Sequence, residues 1–439
     1  MKKDNYLLYD VNETPPKGKM LVLALQHVLA MFGATILVPI LVNKLAGSEV
    51  LTIPVALFTS GIGTLIYLLC TKGKSPVYLG SSFAFISPIA YAFLAGGASG
   101  VGMGIFIVGL IYVLFSILIR IFGKKWINKL IPPIVIGPMI MVIGLGLAPS
   151  AISSIGIDGS AFDFKSLAVA LVSFIITILT ATKAKGFFKV IPFLVGIVSG
   201  YVLSIILGIV DFSAVKDAGV FSIPKFVIPF KDYALSFKGV LTIAPIALVT
   251  IAEHLGDHMA LSTIIKKDLI NEPGLDRTLL GDGLATSVAG LLGGPANTTY
   301  GENTSVVGMT KVASVKVIGL AAIIAIIVSF FGKVSGVLST IPSPVLGGIS
   351  LLLYGFIAVN GLKVLVQNQI DFDDIRNVII AASMLVLGLG GAVIAITTED
   401  INVSISGMSL AAIVGIILNL ILPKTKKEEI EKKKDKKRK

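Results

Sequence analysis

Cysteine is all but missing from this chain: Cys70 is the only one in 439 residues, and it lies inside an apolar run. A disulfide framework and any cysteine-built metal site are thereby excluded. Charge is scarce too, at 14% of residues against about 25% in soluble domains. The formal net charge is +12, yet half of that excess falls in Lys424–Lys439, with ten basic and four acidic residues. That stretch reads as a solvated basic tail beside an anionic membrane surface. The rest of the chain lacks the basic surface that nucleic-acid binding requires, so that class is excluded. No cleavable signal peptide is expected: Met1 to Lys19 is polar, and the apolar run from Met20 is too long for an h-region.

Apolar residues, by contrast, make up 55% of the chain, with 46 Gly and 19 Pro among the rest. Membrane helices tolerate both of these, and about 20 apolar residues make one crossing. Apolar runs bounded by Gly, Pro or charge give fourteen spans: 20–43, 51–70, 77–96, 101–122, 130–149, 166–182, 188–210, 239–262, 278–293, 298–310, 315–332, 343–362, 377–396 and 403–422. With both termini inside, 30 Lys and Arg fall on the inner side and 7 outside (Lys44, Lys165, Lys216, Lys225, Lys231, Lys238 and Lys333). A miscount by one span would invert the loop charges beyond it, so the bias supports fourteen.

Three echoes run across the chain. Pro133-Ile-Val-Ile-Gly137 matches Pro344-Val-Leu-Gly-Gly348, Leu194 to Ile197 matches Ile413 to Ile416, and Gln26-His27 matches Glu253-His254. Their offsets of 211, 219 and 227 join spans 5 to 12, 7 to 14 and 1 to 8. Seven is odd, so the second copy enters the membrane from the opposite side. The expected fold is an all-α polytopic membrane protein with a 7+7 inverted repeat. Spans 3 and 10 hold matching positions and are the least helical. Val77-Tyr78 and Asn297 to Tyr300 read as short extended stretches, because Pro and Gly block helix there and Thr and Tyr favour strand. Non-helical backbone at membrane depth survives only when buried or lining a cavity. Two such breaks bring two half-helix N-termini together, with free N–H groups for a polar ligand.

Acids inside spans are the sharpest signal. Glu253 and Asp257 stand at i and i+4 on one face of span 8, and Glu302 begins the span 10 half-helix. A charge at mid-bilayer costs at least ~3 kcal/mol, so such residues face a cavity and one or more carries a proton near neutral pH. A protonated carboxyl both donates and accepts, which suits a ligand with adjacent N–H and C=O groups. A purely structural hydrogen bond explains any one of these acids more easily than all three. Glu253, His254 and His258 suggest zinc, but the order Glu-His-x-x-x-His differs from the metalloprotease pattern and no third ligand is evident, so no metal is expected. His27 and His254 read as core residues bonded to backbone. Asp282 reads as a solvated end of span 9. By spacing alone, Phe83 and Tyr354 read as packing residues.

Gln26-His27, Tyr78 to Phe83, Ala252-Glu-His-Leu-Gly256, Asn297-Thr-Thr-Tyr-Gly-Glu-Asn303 and Leu351 to Gly355 together resemble the bacterial uracil carriers of the nucleobase–ascorbate transporter family. The resemblance runs from about Met20 to Pro423, and the span 10 motif is its most specific part. It implies proton-coupled uracil uptake by a homodimer, with no cofactor besides the coupling proton. It also implies an elevator in which a core (20–122 with spans 1–4, 239–332 with spans 8–11) moves against a gate (130–210 with spans 5–7, 343–422 with spans 12–14). A cytoplasmic segment 1–19 and a cytoplasmic tail 424–439 flank these. Carried over by residue, Glu253 and Glu302 hold the base and couple protons, with Asp257 a third proton-coupling candidate. Backbone at Phe83, Gly301 and Glu302 completes the polar contacts, with Tyr300 alongside. Phe83 and Tyr354 sandwich the ring, and Ala34 lies against it.

Two positions pull apart. Asp257 stands where uracil carriers of the family have His and purine carriers have Asp, whereas Glu302-Asn303 is the uracil-type pair. Uracil is the expected substrate and xanthine the alternative, because the residue on the base edge weighs more than its neighbour. An anion carrier of the same architecture fits poorly with acids in the site. A metal-dependent intramembrane enzyme is the third reading, which EDTA-insensitive transport without turnover of the base would exclude, and a channel lacks a continuous polar face.

Overall fold

The computed structural model describes residues 6–159, 163–235, 239–397 and 402–423; the basic tail 424–439 lies outside the described residues. Helices form where the apolar runs do. Span 1 is Lys17–Ala46, span 2 Ile53–Cys70, span 6 Phe164–Lys183 and span 7 Pro192–Ile206. Span 8 is Ile246–Ile265, span 9 Leu275–Leu291 and span 11 Val315–Ser329. Spans 12, 13 and 14 are Ser343–Gln367, Ile375–Leu389 and Gly407–Ile421. Span 5 is two short helices in line, Pro133–Gly146 and Ala148–Ile155. Spans 2, 5, 7 and 12 each open with proline in the first turn, where its missing N–H costs nothing. Spans 3 and 4 lie within Ile86–Phe122 as two helices that meet at a kink, where Gly97 adopts φ 60°, ψ −154°. Only glycine enters that region readily, so the two helices join at the kink without a loop.

Spans 3 and 10 are the broken ones. β1 (Leu79–Ser81) precedes a short turn and the span 3 helix, and β2 (Asn297–Thr299) precedes the ten-residue span 10 helix Gly301–Thr310. The two strands pair antiparallel, Leu79 with Thr299, Gly80 with Thr298 and Ser81 with Asn297. Two equivalent segments of an inverted repeat thus meet face to face and satisfy each other's backbone, as a dry interior demands. A second antiparallel pair, β3 (Val393–Thr397) with β4 (Asn402–Ser406), lies between spans 13 and 14.

Packing sorts the spans into two bundles. Spans 1–4 and 8–11 pack on one another, most closely 3–4 against 9 and 2 against 11 and 9. Spans 5–7 and 12–14 do likewise, most closely 5 against 12, 6 against 7 and 13 against 14. The connections sort into two ends, as alternating passages require. Those after spans 2 and 8 meet through Lys74 Nζ and Glu272 Oε1 at 2.6 Å. There Lys74 holds the Glu272 carboxyl below its usual range. At the same end, residues 6–14 form a strap along the connection between spans 10 and 11, with Leu8 N–H to Lys311 O at 2.7 Å and Ala313 N–H to Tyr9 O at 2.9 Å. Lys267 Nζ reaches Asp10 at 2.7 Å, and Leu7 and Val11 are buried beneath. The polar N-terminal segment is therefore part of the folded body, a role its composition did not suggest. At the opposite end, Lys44 in the last turn of span 1 reaches Ser154 of span 5 at 3.1 Å. Lys333 after span 11 reaches the carbonyl of Val215 after span 7 at 2.7 Å.

Candidate functional site

A cavity of about 1010 Å³ lies between the two bundles and reaches the connections at the N-terminal end, where Lys189, Asp268 and Asn368 stand. A smaller hollow of about 540 Å³ lies under the N-terminal strap, but its lysines are paired already, Lys74 with Glu272 and Lys267 with Asp10. The larger cavity is the candidate site. Its walls carry Glu253, Asp257, Glu302, Gly301, Tyr300 and Phe83 from the residues singled out in the sequence, with Thr298, Thr299 and Gly256 beside them. Ala34 and Tyr354 are buried close by but are not on that wall. Phe83 and Tyr354 meet edge to face, their centroids 6.1 Å apart, so a base stacked between them requires the rings to part.

Each polar group is placed by its element. The i, i+4 spacing on span 8 turns Glu253 and Asp257 to the same wall. Thr299 of β2 donates its hydroxyl to Asp257 Oδ2. Across the cavity, the span 10 helix begins at Gly301 with no side-chain cap, and Glu302 sits in its first turn. The N–H groups of Gly301, Glu302 and Asn303 precede the first intrahelical bond, Thr304 N–H to Tyr300 O at 3.1 Å. They leave a partial positive charge next to the Glu302 carboxyl. Tyr300 donates to Ser81 O at 3.0 Å and accepts from Thr35 at 3.1 Å, tying the break to span 1. Gly80 makes room for that ring, since a Cβ there would lie 2.3 Å from Tyr300. Asn303 donates to His27 Nδ1 and to the His27 carbonyl, both at 3.1 Å. Glu253 Oε2 and Thr298 Oγ1 are buried with no hydrogen-bond partner.

His254 and His258 turn the other way. His254 Nδ1 lies 2.7 Å from Asp282 Oδ2, and His258 Nε2 lies 2.6 Å from Tyr67 Oη. Glu253 and the two histidines thus diverge rather than enclosing a cation. Asp282 is fully buried, a correction to its reading as a solvated span end. Thr298 and Thr299 lie inside the span 10 motif but carry no role of their own in the sequence reading, and no sequence pattern pointed to Tyr67. Only the fold brings them to these acids and histidines.

A model of the permease family matches residues 18–397. The chain belongs to this permease family. It is 48% identical to the uracil permease of Bacillus subtilis over 428 residues, covering 96% of each chain. It is 41% identical to the uracil permease of Escherichia coli K12 over 415 residues, covering 94% of this chain and 93% of that one. Among solved structures, the transmembrane domain of the cyanobacterial bicarbonate transporter BicA matches with TM-score 0.59 at 15% identity, covering 93% of this chain and 99% of that chain. The murine anion transporter Solute Carrier 26 family member A9 matches with TM-score 0.68 at 12% identity, covering 93% and 69%. At such low identity these two speak for the fold alone. This permease is thus a multi-pass membrane protein with the 7+7 inverted-repeat architecture and the motifs of the nucleobase–ascorbate transporters.

Proposed function

We propose that this permease imports uracil with protons across the cytoplasmic membrane. The observation that carries the reading is the meeting of Glu253, Glu302 and the free N–H groups of the span 10 helix on one cavity. A planar neutral base offers two N–H and two C=O groups in its plane, which carboxyl acceptors and backbone donors complement. The names of the closely similar relatives agree with uracil, as does the Glu302-Asn303 pair. Proton coupling follows from cost. Moving ionised carboxyls through the low-dielectric interior is expensive, and a proton on Glu253 or Glu302 removes that charge while the base is held.

In this reading spans 1–4 and 8–11 are the moving core and spans 5–7 and 12–14 the gate, sliding as an elevator. The end carrying the N-terminal strap is cytoplasmic by its Lys and Arg excess, so the cavity described above is the inward-open state. Lys44 on Ser154 belongs to the closed outer side. A homodimer completes the proposal, and crosslinking in native membranes tests it. A xanthine–proton symporter is the second reading, favoured by Asp257 on the cavity wall.

The test is radiolabelled uracil uptake into proteoliposomes under an inward pH gradient, chased with xanthine and repeated with a protonophore. Protonophore-sensitive accumulation that ignores xanthine is the expected result. Strong competition by xanthine, or no uracil accumulation, moves the purine reading to the front.

A further inference from the structure

Resting on the uracil reading, we propose that Thr298 is a substrate-contacting residue whose hydroxyl donates to one carbonyl oxygen of the bound base. Strand alternation in β2 puts Asn297 and Thr299 on one face and Thr298 on the other with Tyr300. Three of these four are already engaged. Asn297 Nδ2 donates to Thr59 O at 3.2 Å and Ala285 O at 3.3 Å. Thr299 is held by Asp257 and Tyr300 by Ser81. Thr298 alone keeps a hydroxyl without a partner, although the residue is only 3% exposed and lines the cavity. A buried hydroxyl left unmatched in a polar site marks a place that a ligand fills.

The count of donors and acceptors supports the same assignment. Uracil needs two acceptors for its N–H groups and two donors for its carbonyls. Glu253 and Glu302 supply the acceptors, and the N–H groups opening the span 10 helix supply one donor. The second donor must stand beside a carboxyl, because N–H and C=O alternate around the ring. Glu253 Oε2 and Thr298 Oγ1 are neighbours on the wall: the Thr298 hydroxyl interacts with the Glu253 carboxyl without full hydrogen-bond geometry, and neither atom has another partner. Together they form an acceptor–donor pair with the order that one edge of the base requires. Thr299 cannot serve, since its proton goes to Asp257.

The experiment compares Thr298→Val and Thr298→Ser with the parent in proteoliposomes, using uracil, 2-thiouracil and 4-thiouracil, because sulfur accepts hydrogen bonds poorly. Valine keeps the shape and removes the hydroxyl. Its KM for uracil is expected to rise about tenfold, the loss of one good hydrogen bond, with serine within about threefold of the parent. The parent's preference for oxygen over sulfur at one carbonyl should vanish in the valine variant. An unchanged KM overturns the assignment, and so does a raised KM with the sulfur discrimination intact. KM does not depend on how much protein is inserted, so poor expression of the variant leaves the test valid. A parent protein that takes up no uracil defeats the uracil reading itself, an outcome separate from either of these.

Discussion

The span 8 helix presents two faces that invite comparison. Within six residues it carries Glu253, His254, Asp257 and His258, and the i, i+4 spacing sends both acids to the cavity and both histidines to the interior. On the interior face nearly every proton can be assigned. The Thr278 hydroxyl donates to Leu275 O at 3.1 Å, so it accepts from His254 Nε2 at 3.1 Å. His254 Nδ1 and Asp282 Oδ2 then share one proton between them. His258 Nδ1 lies 2.8 Å from the His254 carbonyl, which can only accept, so Nε2 accepts from Tyr67. On the cavity face, Asp257 has one donor and Glu253 Oε2 has none. Identical spacing therefore yields a nearly complete hydrogen-bond network on one side, with Asp282 Oδ1 its unmatched atom, and open valences on the other. Titratable side chains become transport groups where their partners are missing, and structural groups where they are supplied.

That contrast is broken most severely at Glu253. Glu253→Gln keeps the shape and the hydrogen-bonding capacity but cannot exchange a proton, and uphill uracil accumulation under a pH gradient is expected to disappear. Undiminished accumulation would remove Glu253 from the coupling. Next in size is Glu302→Gln, across the cavity, which replaces a carboxyl acceptor with an amide that also donates. Relative uptake of uracil and xanthine should shift about tenfold toward the purine, the weight of one well-placed hydrogen bond. Wild-type selectivity in that variant would take Glu302 off the base. Asp257→His should act more gently, leaving uracil KM within about threefold while weakening competition by xanthine, because Asp257 is already bonded to Thr299. Loss of uracil uptake there would make Asp257 a coupling group rather than a modulator.

How much of this was legible beforehand follows from the same physics. Charges inside apolar runs stand out because lipid punishes them, so Glu253, Asp257 and Glu302 were found without a structure. The strand pair was foreshadowed by Pro, Gly and Thr, although β1 lies at 79–81 rather than at 77–78. What could not be read was partnership. Asp282 meets His254 from another helix, 28 residues away, and nothing in either local sequence announces it. The N-terminal strap is polar in composition and still buries Leu7 and Val11, because its backbone pairs with residues 311–315. Ala34 and Tyr354 came only from resemblance, and no local pattern distinguishes them from core.

The interior face supplies the smallest and most discriminating test. Tyr67 Oη lies 2.6 Å from His258 Nε2 and 2.8 Å from Ser75 Oγ, and all three residues are buried. Tyr67→Phe deletes the donor to Nε2 and the partner of Ser75 while keeping the ring. Leaving buried polar groups unmatched costs about 1–3 kcal/mol, which should appear as a lower thermal unfolding midpoint in detergent. His254 still ties the helix to Asp282 and Thr278, so Glu253 and Asp257 should keep their places. Uracil KM and the pH profile of uptake are accordingly expected to stay as in the parent. A displaced pH profile with an unaltered midpoint would mean that protons pass through Tyr67 and His258. The division between a transporting face and a structural one would then fall, because the buried histidines would be handling the same protons as the acids.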